Sequence, residues 1–108
     1  MSTLIRGTGS ALPERVISNA DLEKMVETND EWIVTRTGIR ERRMLAPEEA
    51  TSDIVTRAAQ RALEQAGLAP EDLDLIVVAT CTPDTFTPAT ANHVHRNLCR
   101  GTTIPAFD

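Results

Sequence analysis

LDLIVVAT, Leu73 to Thr80, is a short β-branched run with no polar residue between Leu75 and Ala79. A half-exposed strand alternates apolar and polar residues, so this continuous run predicts a buried parallel strand with helices over both faces. Upstream, Thr51 to Ala66 places Ile54, Val55, Ala58, Ala59, Ala62, Leu63 and Ala66 on one face at three- and four-residue spacing, and Gly67 then Pro70 stop the helix. That face is expected to pack on the sheet. Downstream, the loop TCTPDTFTP leaves the carboxyl end of the strand, a helix is predicted over 89–98, and TIPAF begins another strand. With a glycine-interrupted strand over 3–12, TLIRGTGSAL, the order is β-α-β-α-β and the fold class α/β.

The remaining stretch lies between the first strand and the long helix. Pro13 blocks direct helix entry, and Ser18 with Asp21 has the spacing of a capping box for a helix carrying Leu22, Met25 and Val26. Thr28 with Glu31 repeats that spacing, the second helix carries Trp32, Ile33 and Arg36, and Gly38 is its expected stop. IRERRML then reads as extended.

At 108 residues the chain suffices for one domain or part of one. Its 41% hydrophobic and 25% charged residues exclude a disordered chain. Aromatics are only 3%, so the core must come from Ile, Val, Leu and 13 alanines, a mixture that favours close backbone contact. No export signal and no apolar run of membrane-spanning length is present. Cys81 and Cys99 form no CxxC pair, which predicts free thiols and a cytoplasmic protein. A net charge of -5 without a long basic run excludes nucleic acid as a partner class. The chain stops at Asp108, at the end of a strand with no following crossover, so a fragment is expected.

Several motifs invite chemistry. GTGSAL has Leu12 where a dinucleotide fingerprint needs its third glycine, and no helix opens there. His93 and His95 stand two apart on a predicted helix and point to different faces, so no metal site is expected and both are read as solvent-facing. Cys81 and Cys99 are read as small buried thiols. Trp32 and Arg36, four apart, share a helix face. They form either a surface cation–π pair, worth about 0.5–1 kcal/mol, or a flat platform for a base with guanidinium donors for phosphate, suited to a nucleotide-like ligand such as coenzyme A.

GTGSALP, NADLEKMVETNDEWIVTRTGIRERR, LIVVAT and IPAFD resemble the N-terminal region of the β-ketoacyl-acyl carrier protein synthase III family, over all 108 residues. The resemblance implies a thiolase-like fold of layered αβαβα architecture in a homodimer. This chain, 1–108, matches most of the first β-α-β-α-β half and is truncated before the catalytic cysteine. It further implies an acyltransferase that condenses an acyl-CoA primer, acetyl-CoA by default, with malonyl-acyl carrier protein to give the 3-oxoacyl product and CO2, initiating type II fatty acid biosynthesis. No cofactor is implied, the CoA thioester being substrate.

The family's Cys, His and Asn are not matched here, by Cys81 or Cys99 or any other residue, so the chain alone is expected to be inactive. The resemblance makes Trp32 the stacking partner of adenine, and Thr28, Arg36 and Thr37 contacts to base or phosphates, although Thr28 is equally suited to capping its helix. Arg40, Arg42 and Arg43 read as a solvated face. One departure stands out: many relatives place a phenylalanine immediately before the proline of a loop that enters the partner subunit's acyl pocket, whereas this chain has Phe86, then Thr87 before Pro88. Thr87 would admit a longer or branched primer, unless Phe86 swings in to restore the short-chain limit. The alternatives are a related ketide synthase of secondary metabolism, or a non-catalytic CoA-binding or structural fragment.

Overall fold

In the computed structural model, which describes residues 1–108, the decisive run pairs only at its middle. Ile76–Val77 (β3) lies parallel to Ala106–Phe107 (β4), with Ile76 opposite Ala106 and Val77 opposite Phe107. The crossover between them is Thr90–Leu98 (α4). Preceding elements are Arg15–Ser18 (β1), Asn19–Glu23 (α1), Asp30–Thr37 (α2), Glu41–Met44 (β2) and Thr51–Ala66 (α3), with a 3-10 turn at Pro70–Asp72. They form two compact units, Met1–Ala11 with Glu49–Asp108, and Leu12–Glu48. The α/β class holds, and the four strands pair as two two-stranded sheets, β1 with β2 and β3 with β4. No helix is long and apolar enough to cross a membrane.

In the first unit, Val78, Ala91 and Val94 form the buried core, with Val55, Ile76 and Ala106 packed against it. Successive strand residues alternate faces. Ile76 and Val78 therefore point to the core, while Leu75 and Val77 point away and remain 48% and 57% exposed. This corrects the expectation of helices over both faces: the helices of this chain cover one. The run is continuously apolar although only half of it meets a partner here.

Helix α3 has the expected bounds and ends at Gly67 with φ 66°. Its apolar face, expected on the sheet, packs mainly on α4. Part of the alanine ridge takes the N-terminal segment instead. A Cβ on Gly7 would strike the Ala62 carbonyl oxygen and come within 2.9 Å of the Ala66 Cβ, and one on Gly9 would strike the Ala58 carbonyl oxygen. Between them Thr8 donates from its amide and hydroxyl to Gln65 Oε1, and Arg61 donates to the Ser10 carbonyl. These glycines serve close approach to a helix. The predicted strand over 3–12 is absent, because the segment's hydrogen bonds go to side chains of α3 and not to a neighbouring strand.

In the second unit, β1 and β2 pair antiparallel, from Arg15 opposite Met44 to Ser18 opposite Glu41. Ser18 ends the strand and caps α1 through the expected box: its Oγ accepts from the Asp21 amide, and Asp21 Oδ2 accepts from the Ser18 amide, both at 3.1 Å. Helix α1 stops at Glu23, so Met25 and Val26 lie beyond it, exposed, where they were expected within. Ile17 and Ile33 supply the buried apolar contacts, beside a buried Asn19.

Candidate functional site

The cap of α2 is Asn29, not Thr28. Asn29 is extended at φ -148° and ψ 160°, and its Oδ1 accepts from the Trp32 amide at 2.8 Å. Asp30 and Glu31 occupy the first turn and Arg36 the last, the arrangement the helix dipole favours. Gly38 closes the helix at φ 71°, its amide donating to the Val34 carbonyl at 2.8 Å.

On the outer face, the Arg36 guanidinium carbon lies 5.5 Å from the Trp32 ring centroid. The indole is 54% exposed and separates two shallow depressions. One is lined by Glu27, Thr28, Asn29 and Trp32, the other by Asn29, Glu31, Trp32, Thr35 and Arg36. Released from capping, Thr28 makes no side-chain hydrogen bond inside the chain and lines the first of these. Thr37 is differently placed. Its hydroxyl donates to the Ile33 carbonyl at 2.7 Å and accepts from the Ile39 amide at 3.0 Å, so its proton is committed to the end of the helix. Thr35, which sequence reasoning passed over, lines the depression beside Arg36 instead. Asn29 was also missed, although its place directly before two acidic residues is itself a cap signal.

Below this helix sits a hub that no local pattern announced. Asn19 is 2% exposed, and its Nδ2 donates to Asp30 Oδ1 at 2.7 Å and to the Ile39 carbonyl at 2.9 Å. Its Oδ1 accepts from Arg42 Nη2 at 2.7 Å. Arg43 donates to the Pro13 carbonyl at 3.1 Å. Of the three arginines read as a solvated face, Arg42 is therefore half-buried and structural, whereas Arg43 stays exposed as expected. Arg40 offers its carbonyl to the Asn19 amide at 3.2 Å while its side chain stays exposed.

Phe86 and Thr87 belong to the other unit, on the loop between β3 and α4, and both are exposed, Phe86 completely. The loop is pinned around them. Thr51 donates to the Thr82 carbonyl at 2.6 Å, Asp84 Oδ1 accepts from the Ser52 amide at 2.8 Å, and the Thr85 hydroxyl bonds the Pro88 carbonyl and His93 Nε2 at 2.9 and 3.1 Å. The peptide between Thr87 and Pro88 is cis. His93 and His95 do point apart, but neither is merely solvated, since His95 Nε2 bonds the Thr102 hydroxyl at 3.3 Å.

Asp108 accepts from the Thr90 and Ala91 amides, both at 2.7 Å, at the start of α4. Partial desolvation pushes its carboxyl up, yet the two amide bonds and the nearby His93 outweigh it and hold the group below the ordinary carboxylate range. Cys99 is buried as expected, and desolvation, followed by the Glu71 charge, pushes its thiol up. Cys81 is exposed, which corrects its reading as buried: it follows the strand on a loop that nothing covers. No cluster of His, Cys, Asp and Glu has the makings of a metal site.

No family model matches the chain. It is 63% identical over 94 residues to the beta-ketoacyl-[acyl-carrier-protein] synthase III of Caldanaerobacter subterraneus subsp. tengcongensis, a stretch covering 87% of this chain and 28% of that protein. The crystal structure of 3-oxoacyl-[acyl-carrier-protein] synthase III from Aquifex aeolicus VF5 matches it with a TM-score of 0.87 at 48% identity, over 99% of this chain and 34% of that one. The priming beta-ketosynthase from the R1128 polyketide biosynthetic pathway matches with a TM-score of 0.80 at 35% identity, over 96% and 32%. The chain thus spans about a third of the length of the proteins it resembles, and has the α/β fold of that part of a thiolase-like enzyme.

Proposed function

We propose that this chain is the first part of a β-ketoacyl-acyl carrier protein synthase III, and that within it the outer face of α2 holds the nucleotide end of an acyl-CoA primer. The observation that carries this reading is the Trp32–Arg36 pair, with one depression of the indole bordered by Thr28 and the other by Arg36 and Thr35. A half-exposed indole offers a stacking surface worth about 1–3 kcal/mol per base, and a guanidinium offers forked donors to phosphate. Thr37 can add only its remaining acceptor capacity, since its proton is spent.

The complete enzyme would transfer the acyl group to a cysteine thiolate with loss of the CoA thiolate. Malonyl-acyl carrier protein would then lose CO2, and the electron pair left behind would form the new carbon–carbon bond as the cysteine departs. The acyl transfers belong to residues outside this chain; its own α2 would bind and orient the primer. Both cysteines being free fits a cytoplasmic setting, and Phe86, fully exposed at the tip of a pinned loop, fits a role against a partner subunit in a homodimer.

The test is Trp32→Ala in the complete enzyme. Loss of stacking should raise KM for acyl-CoA about tenfold with little change in kcat; an unchanged KM refutes the nucleotide site. The likeness to a polyketide priming synthase supports a second reading in which the same face serves a ketide synthase. Turnover of acetyl-CoA against longer and branched acyl-CoAs tests the primer, and strict acetyl preference would refute a pocket enlarged by Thr87.

A further inference from the structure

We infer that Asn19 is a positioning residue for the ligand-binding face of α2, an inference that rests on the nucleotide-site reading above. Helix α2 has eight residues and buries only one of them, Ile33. A helix this short is marginal by itself, and one apolar anchor does not fix its roll. Directional polar bonds do. The two protons of the Asn19 carboxamide go to Asp30, the first residue of α2, and to the carbonyl of Ile39, just past its Gly38 stop.

One side chain therefore grips both ends of the helix, and Arg42 holds that side chain from β2 through its remaining oxygen. The Asn19 amide adds a backbone tie to Arg40, and Glu23 Oε1 accepts from the Asp30 amide at 2.7 Å. Trp32 and Arg36 project from the outer side of the helix so held. If α2 rolls, the indole and guanidinium leave the geometry that a base and a phosphate require. Apparent affinity then falls by the fraction of molecules in the competent orientation.

Asn19→Asp keeps the shape but removes both donors and sets a carboxylate against Asp30. In the complete enzyme it should raise KM for acyl-CoA, and the Kd for CoA by calorimetry, about tenfold, with kcat at saturation within about twofold. Hydrogen exchange over residues 30–37 should quicken in parallel. The double variant Asn19→Asp with Asp30→Asn returns a donor at the Asp30 end only, the Ile39 carbonyl staying without one, and should recover part of the lost affinity. Trp32→Ala runs alongside. If Trp32→Ala weakens binding and Asn19→Asp does not, the positioning role is overturned and the nucleotide site stands. If neither changes affinity, the site itself is refuted. If Asn19→Asp lowers kcat and affinity together and the exchange of Asp30 rescues neither, Asn19 is structural only and the inference fails.

Discussion

Gly9 has its Cα against the backbone of α3, where a side chain would overlap the Ala58 carbonyl oxygen. The obstacle is main chain, which cannot swing aside as a long side chain would. Gly9→Ala is therefore expected to destabilise the first unit by about 1–3 kcal/mol, read as a lower denaturation midpoint and faster amide exchange in α3; full stability would show that the segment is not seated there. A second prediction separates neighbouring residues. Asn29→Ala should cost the second unit about 1 kcal/mol through the lost cap. Thr28→Val should cost less than about 0.5 kcal/mol yet weaken acyl-CoA binding in the complete enzyme, because its hydroxyl supports nothing within the fold. Equal losses of stability in a denaturant titration would return the cap to Thr28. The Trp32–Arg36 pairing was legible because it needs only spacing, whereas the cap was misread because Thr28 with Glu31 has capping-box spacing, while Asn29, with Trp32 three residues on, caps through its own side chain alone.

Helices α3 and α4 take their first-turn partners from aspartates later in the chain, Asp84 and Asp108 respectively. Asp108 is held below the usual carboxylate range in the folded chain. A depressed carboxyl stabilises the fold above its unfolded value, about 3.9, and that contribution disappears as pH falls through the lower folded value. Asp21 behaves alike, its carboxyl lowered first by the Ser18 hydroxyl and next by the Ser18 amide. Amide protection of α4 should thus decline below about pH 4, and Asp108→Asn should flatten that acid limb; an unaltered limb would assign it to other groups. The bounds of α3 were readable since a sixteen-residue periodic face and a glycine–proline stop are local. Its cap was not, because Asp84 stands 32 residues from the amide it serves. The strand at 73–80 was overread for a related reason: apolar continuity reports that both faces avoid water, not which chain segment covers each.

The molecule as described leaves one face of its parallel pair open, with Phe107 51% exposed beside Val77. Edge and face together invite self-pairing, so the 108-residue chain should show concentration-dependent association by sedimentation, and Val77→Lys should suppress it. The same chain should form no 3-oxoacyl product, because the Cys99 thiol is buried with its ionisation disfavoured and no basic group bonds Cys81; measurable product would refute that. The order of closure carries a last consequence, for synthesis on the ribosome. The hairpin unit, Leu12–Glu48, holds all its partners within one short stretch, whereas the segment before it waits for α3 and α3 waits for Asp84. At about 5–20 residues per second, those 32 residues delay the capping of α3 by on the order of a few seconds after Ser52 is made. The nascent chain would thus complete its inserted piece first, with both flanks of the host unit still unfolded, an interval in which an emerging apolar β3 is open to chaperones.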